Sequence, residues 1–307
     1  MRIELGKGPL LTRQVINGPT MGSRFAATFF APFGLDLVAV ARDLQAAVDA
    51  VDAQMSTWKR DSALMRFNRS PVGEWFALPA EMAQVIGAAL QIGRASGGAF
   101  DIGVGDLVGD WGFSPGDASG VPERSRPALE ALEFDAVGLR LRKRVPITLD
   151  LNGIAKGFGV DELARVLGAN GVRHYLVAID GEVRVAGGRP DGTPWQVAIE
   201  APEEGRRSVD STVDLIDGAL ATSGDYRYFV ERDGERHPHT MDPKSRAPLR
   251  HGMASVTVRA ETCMAADAWA TALLVLGPEA GLPLAAAQGI EALYIERVPQ
   301  LQTRSQE

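Results

Sequence analysis

Cysteine occurs once in the 307 residues, at Cys263, so no internal disulfide can staple the fold. With only four histidines beside it, the chain is also short of ligands for a structural zinc site. No Gly-Lys-Ser/Thr sequence occurs, which excludes a Walker phosphate loop. No apolar run reaches the roughly 18–20 residues that span a bilayer, so no transmembrane segment is expected. Basic residues are outnumbered, 32 against 39 acidic, for a formal net charge of -7. That balance argues against a nucleic-acid or anionic-membrane partner, while leaving room for a small anion held by a local cation. Residues 1–20 lack a basic segment followed by an apolar core and a small-residue cleavage site. A cytoplasmic location is therefore expected as written, with a periplasmic or membrane-anchored one as the alternative if a leader is missing.

What is present is a globular pattern, 45% hydrophobic and 23% charged, suited to one large domain or two intimately packed ones. Residues 23–31 read as a strand. Leu37, Val40, Leu44, Val48, Val51 and Met55 recur every three or four residues and predict a helix ending near Ser56. A second helix is expected from Pro79 to Gly97, and residues 114–127, rich in Gly, Pro and Ser, read as a surface loop. A strand at 147–151 should lead into a helix from Gly153 to about Leu167, which Gly168 and Gly171 can end. Asp180-Gly181 and Asp233-Gly234 each sit between strand-like runs, as tight hairpin turns do. Strands near 194–200, 213–216, 253–259 and 291–296, with helices at 264–276 and 279–288, complete the pattern. The class is α+β, with largely antiparallel sheets and packed helices.

Few segments carry chemistry. Gly103-Val-Gly105-Asp-Leu-Val-Gly109 imitates a dinucleotide fingerprint, but its third glycine is one place late. Gly153-Ile-Ala-Lys156-Gly157 follows a strand and opens a helix, where free N–H groups favour an anion and Lys156 adds charge; a plain turn with a solvated lysine is the alternative. His237, His239 and Asp242 suit either a transition metal, a turn at Asp242-Pro243, or a general base at His239. Asp267 and Thr271 stand four apart in an otherwise apolar helix and so share a face. Two oxygen donors suit Mg²⁺, which shares its shell with water and phosphate. The alternative has Thr271 bonding its own helix and Asp267 facing solvent.

The motifs occur in one order: Met21-Gly-Ser23, Met55-Ser56-Thr-Trp58 with Asn68, Gly98-Ala-Phe100-Asp101-Ile with Trp111-Gly-Phe113, Asp150-Leu-Asn-Gly-Ile-Ala-Lys-Gly157, Ala221-Thr-Ser-Gly-Asp225-Tyr, His239-Thr-Met-Asp-Pro243 and Ala265-Ala-Asp-Ala-Trp-Ala-Thr271. That series resembles the ApbE family of FAD:protein FMN transferases across residues 15–297, leaving 1–14 and 298–307 as tails. The resemblance implies two interlocked subdomains, T-fold-like, with FAD in the cleft between them. It implies a cation, Mg²⁺ with Mn²⁺ as the alternative, bound by Asp267, Thr271 and a backbone carbonyl at Ala155. It implies that FAD is cleaved at its pyrophosphate, that AMP leaves, and that FMN joins a threonine or serine hydroxyl of an acceptor flavoprotein.

His239, Asp242 and Lys156 are then the catalytic candidates. Met21, Met55, Ser56, Trp58, Asn68, Phe100, Asp101, Gly153, Lys156, Asp161, Thr222, Ser223 and Gly224 are the candidates for holding the flavin nucleotide. Two other readings use the same site: a Mg²⁺-dependent FAD pyrophosphatase, and a flavin-binding or flavin-delivery protein without turnover. The sequence departs from the family pattern at Asn152, where a glycine is common and left-handed backbone is expected, and at Thr240, where an aliphatic residue is usual and a strand is expected.

Overall fold

The computed structural model describes residues 11–114, 126–202, 208–225, 228–232 and 234–297. Most of the expected 114–127 loop, Asp233 of the second hairpin turn and the 298–307 tail lie outside the described residues.

The chain opens with β1 (Thr12–Thr20) and β2 (Ser23–Ala31), joined by Met21 and Gly22, both at positive φ (44° and 70°). That backbone geometry matches a tight hairpin. β1 starts inside the stretch expected as a tail, since Thr12 already pairs with Ala31. Next come α1 (Leu37–Met55), α2 (Ala63–Arg69), β3 (Trp75–Ala77) and α3 (Ala80–Ala95). The Asp36 carboxylate caps α1 by accepting from the Val38 and Ala39 N–H groups. A 3-10 turn at Ile102–Val104 leads to α4 (Gly105–Asp110), then α5 (Ala128–Ala131), β4 (Leu132–Asp135), β5 (Arg140–Lys143) and α6 (Asn152–Ala169).

The second half supplies β6 (Tyr175–Ile179), β7 (Glu182–Ala186), β8 (Trp195–Glu200), β9 (Val209–Leu215) and β10 (Gly218–Gly224). After these come β11 (Phe229–Arg232), β12 (Glu235–Pro238), β13 (Met241–Asp242), β14 (Ala247–Pro248), β15 (Met253–Ala260), α7 (Cys263–Ala287) and β16 (Glu291–Glu296). The main sheet runs β1-β2-β6-β7-β10-β15-β16, antiparallel at every pairing. Smaller sheets hold β3-β5-β4, β8-β9, β11-β12 and β13-β14.

Two apolar cores meet at α6. Phe25 and Phe29 of β2, Val40, Leu44 and Val48 of α1, and Val160, Leu163 and Leu167 of α6 form one. Ile154 and Phe158 of α6 pack into the other with Phe67, Met82, Ile86, Leu149, Leu151, Leu273 and Leu274. Each such buried side chain contributes about 1.5–3 kcal/mol, so α6 is held on both sides.

The expected strand at 147–151 joins no ladder. Its polar backbone is satisfied otherwise: the Asn68 amide gives and takes a hydrogen bond at Leu149 (both 2.9 Å), and Asp150 N–H reaches Ile102 O at 2.8 Å.

α7 has the length and mean hydropathy (1.4) of a membrane-crossing helix by composition alone. It carries a buried acid, however, and breaks at Gly277 (φ 69°) before Pro278, where the sequence expected two helices. Pro278 lacks the N–H that would reach Leu274 O. His251 Nε2 donates to that carbonyl instead, at 2.6 Å, while Nδ1 accepts from Met253 N–H. The Tyr294 hydroxyl covers Leu273 O (3.0 Å) and Gly277 O (3.3 Å).

Candidate active site

Three things converge at one end of the main sheet: the Met21-Gly22 turn, the Asp180-Gly181 turn and the start of α6. Asp180 has φ 53°, as a tight turn after β6 requires. Small residues let the pieces approach. At Gly159 an added Cβ would stand 3.0 Å from Met21 Cε. At Gly157 it would stand 2.3 Å from the Cys263 carbonyl oxygen, so only glycine lets α6 cross α7 here.

Asp267 is 4% exposed and accepts a 2.9 Å hydrogen bond from Gly157 N–H. Burial, then the charge of Glu182, push its carboxyl up to about 7; Lys156 and the Gly157 bond pull the other way. One turn on, Thr271 Oγ1 lies 3.0 Å from Ser223 Oγ. A Cβ on Gly153 would come within 3.0 Å of the same Thr271 oxygen, so the first turn of α6 presses on it. Ala155 lies in that turn, buried. The plainer reading had Asp267 facing solvent and Thr271 bonding its own helix; instead Asp267 is deeply buried, and Thr271, half-buried, bonds a neighbouring strand. Two oxygen groups, one a buried carboxylate with no ion pair among the described residues, suit a hard divalent cation.

Lys156 Nζ does not turn to Asp267. It sits 2.9 Å from Glu182 Oε1 and 3.9 Å from Asp180 Oδ2. Burial works against its charge, but Glu182, Asp267 and Asp180 together outweigh that and hold the ammonium above its usual range. Glu182 is 2% exposed, and its Oε2 has no hydrogen-bond partner among the described residues. Burial raises the Glu182 carboxyl and Lys156 offsets part of the rise. Glu182 and Asp180 went unread in the sequence, where Asp180-Gly181-Glu182 registered only as a turn. An acid on either side of a turn glycine was the signal available.

His239 follows β12. Its backbone N–H donates to Tyr228 O, and Nδ1 lies 3.2 Å from the same carbonyl. A carbonyl only accepts, so Nδ1 carries the hydrogen and Nε2 the free lone pair. The ring meets Phe113 and Tyr228 edge-on at 6.2 and 5.8 Å. Burial lowers its pKa, the Tyr228 bond opposes this, and the Lys156 charge lowers it further. His237 stacks instead on Trp111, 4.7 Å away, and Asp242 holds the turn after β13 by accepting from Lys244 and Ser245 N–H groups. No metal-holding group of three or more His, Cys, Asp or Glu exists among the described residues. The transition-metal reading of this segment therefore has no ligand set.

The remaining candidates divide. Met21, Phe100, Gly153, Thr222, Ser223 and Gly224 lie around α6, α7 and β10. Phe100 packs within reach of Gly153, and Thr222 bonds Thr257 across the sheet at 2.8 Å. Others carry structure. Asn68 clamps Leu149, and Asp101 accepts from Gly103 and Ala128 N–H groups. Asp161 accepts from Cys263 and Met264 N–H groups at the start of α7 and pairs with Arg184 at 2.6 Å. Met55 is core, Ser56 accepts from Trp58 and Lys59 N–H groups, and Trp58 is 70% exposed.

Comparison with known proteins places the chain in a family. The ApbE family model matches residues 21–294. The chain belongs to the ApbE family. An FAD:protein FMN transferase of Vibrio cholerae is 38% identical over 288 residues, covering 91% of this chain and 86% of that protein. The apo flavinyl transferase ApbE of Pseudomonas stutzeri superposes with TM-score 0.83 at 38% identity, covering 94% of this chain and 93% of that one. The Thermotoga maritima ApbE protein gives 0.82 at 26% identity, covering 93% and 94%.

The two departures from the ApbE pattern have local explanations. Asn152 needs no left-handed backbone, because it is the first residue of α6. Its N–H and side-chain amide both donate to Asp150, at 2.7 and 3.0 Å. Asp150 is buried and pushed up to about 6 by burial, against those two bonds. Thr240 is not in a strand but links β12 to β13, buried, with its carbonyl taken by Leu249 N–H.

Proposed function

We propose that this chain is a Mg²⁺-dependent FAD:protein FMN transferase. The observation that carries the reading is Asp267: a buried carboxylate without an ion-pair partner among the described residues, one turn from the half-buried Thr271 hydroxyl, in a member of the ApbE family. Asp267, Thr271 and the Ala155 carbonyl are the groups that would hold Mg²⁺, with Mn²⁺ as the alternative ion. When bound, the cation neutralises the diphosphate of FAD and makes its phosphorus more open to attack.

The chain's own residues supply the rest. Lys156 stays protonated in the first turn of α6, held by Glu182 and Asp180, and its charge offsets those acids beside the residues that would hold the cation. His239 is neutral, since burial disfavours its charged form and Lys156 repels it. Its Nε2 lone pair accepts the proton of an acceptor threonine or serine hydroxyl. The hydroxyl oxygen forms a bond to the FMN phosphorus, the pyrophosphate P–O bond breaks, and AMP leaves. Asp242, engaged with its own turn, fixes the backbone that follows His239 rather than taking the proton.

The test is to incubate the protein with FAD, Mg²⁺ and candidate flavoproteins, denature, and weigh the acceptor by mass spectrometry. One FMN added per acceptor, with equal AMP, is expected. AMP and free FMN with an unchanged acceptor mass would mean hydrolysis; bound FAD without AMP would mean a carrier. Either outcome refutes the transferase reading.

A further inference from the structure

We propose that Ser223 is a positioning residue for Thr271 and acts on the cation site rather than on the flavin. The inference rests on the reading of Asp267 and Thr271 as cation ligands. Strand alternation separates the two hydroxyls at the end of β10. Thr222 points to one face and pairs with Thr257 of β15, while Ser223 points to α7 and meets Thr271 Oγ1 at 3.0 Å.

The direction of that second bond follows from chemistry. A threonine hydroxyl has one hydrogen and two lone pairs. On a helix it ordinarily gives the hydrogen to a carbonyl one turn back, which aims its lone pairs by the helix alone. Here Ser223 Oγ offers an acceptor outside the helix. When Thr271 gives lone-pair density to a cation, its hydrogen becomes more acidic and needs such an acceptor. Groups that receive the outer hydrogen of a metal ligand fix its orientation and raise its donor strength. Ser223 is the only side chain among the described residues that hydrogen-bonds Thr271 Oγ1. The start of α6 also approaches this hydroxyl, since a Cβ on Gly153 would stand 3.0 Å from Thr271 Oγ1.

Mn²⁺ binding to the flavin-free protein tests this without any turnover, by calorimetry or electron paramagnetic resonance. Ser223→Ala should weaken Mn²⁺ binding by about tenfold or more, with circular dichroism and melting unchanged. Ser223→Thr, which keeps the hydroxyl on a strand that accepts β-branching, should bind within about threefold of wild type. In a Thr271→Ala background, Ser223→Ala should cause no further loss, because the serine acts through the missing hydroxyl. Wild-type affinity in Ser223→Ala overturns the proposal, as does an equal loss in the Thr271→Ala background. Asp267→Ala separates the two levels. If it binds Mn²⁺ like wild type, the cation reading itself has failed; if it loses binding while Ser223→Ala does not, only the role of Ser223 has.

Discussion

Replacing Gly157 by alanine should damage the protein out of proportion to one methyl group. The new Cβ would lie 2.3 Å from the Cys263 carbonyl oxygen and 2.8 Å from Asp267 Cβ, where ordinary contact begins at 3.4 Å. The obstructing atoms are main chain and the root of a side chain, so no rotamer relieves them. α7 must back away from α6 by about 1 Å. Such overpacking costs about 1–3 kcal/mol. The same shift stretches the Gly157 N–H bond to the Asp267 carboxylate, and a bond to a charged acceptor is worth about 1.5–3 kcal/mol. Alanine returns up to about 1 kcal/mol of helix propensity. The balance is a loss of about 2–5 kcal/mol, or a melting temperature lower by the order of 4–10 °C. Mn²⁺ affinity should fall with it, since Asp267 moves. Gly168 is the control: it lies in the same helix with nothing within 4 Å of an added Cβ, so Gly168→Ala should melt at or slightly above wild type. Calorimetric melts of the three proteins decide the matter. If Gly157→Ala melts with wild type, or Gly168→Ala falls as far, the close crossing of α6 and α7 is not what holds this site.

Two further outcomes follow from charge. Burial and then Glu182 raise the Asp267 carboxyl to about 7, whereas an unfolded aspartate titrates near about 3.9. Between those values the folded chain keeps a proton that the unfolded chain has lost, so metal-free stability falls as pH rises through the window and levels off above about 7. Asp267→Asn should flatten that part of the profile and Mg²⁺ should restore wild-type stability at pH 8; melts showing the same pH slope in variant and wild type would contradict this. His239 is held low by burial and further by Lys156. Lys156→Met should therefore raise the His239 pKa in an NMR titration of its Cε1 proton, and an unmoved midpoint would show that the lysine charge does not reach the ring.

Periodicity and turn chemistry located most elements, because both are local. The apolar spacing from Leu37 to Met55 gave α1 with its ends, and Asp180-Gly181 gave the β6–β7 hairpin. β1 was invisible because its polar, Pro- and Gly-containing run owes its pairing to β2. Residues 147–151 looked like a strand, yet Leu149 bonds a side chain 81 positions away and its neighbours bond the Ile102–Gly105 turn. β9 begins at Val209, ahead of the expected 213, since its early residues are exposed and do not alternate strongly. Within the site, order along the chain singled out Asp267, Thr271 and His239, whereas Glu182 needed the fold to bring it to Lys156. Asn68 and Asp101 of the motif series, and Asp161 among the flavin candidates, spend their oxygens and nitrogens on backbone and, for Asp161, on Arg184, which no linear reading reveals.

α7 behaves as a ruler fixed at both ends. Asp161 grips its first N–H groups, and His251 with Tyr294 grips the carbonyls just before the break. Each residue of an α-helix turns the next by about 100°. An insertion or deletion anywhere between these anchors would swing either Asp267 or Thr271 away from α6, with no slack to absorb it. Beyond Gly277 the break in the helix removes that rotational coupling, although Gly281 still packs against the Tyr294 hydroxyl and Ala285 remains in the core.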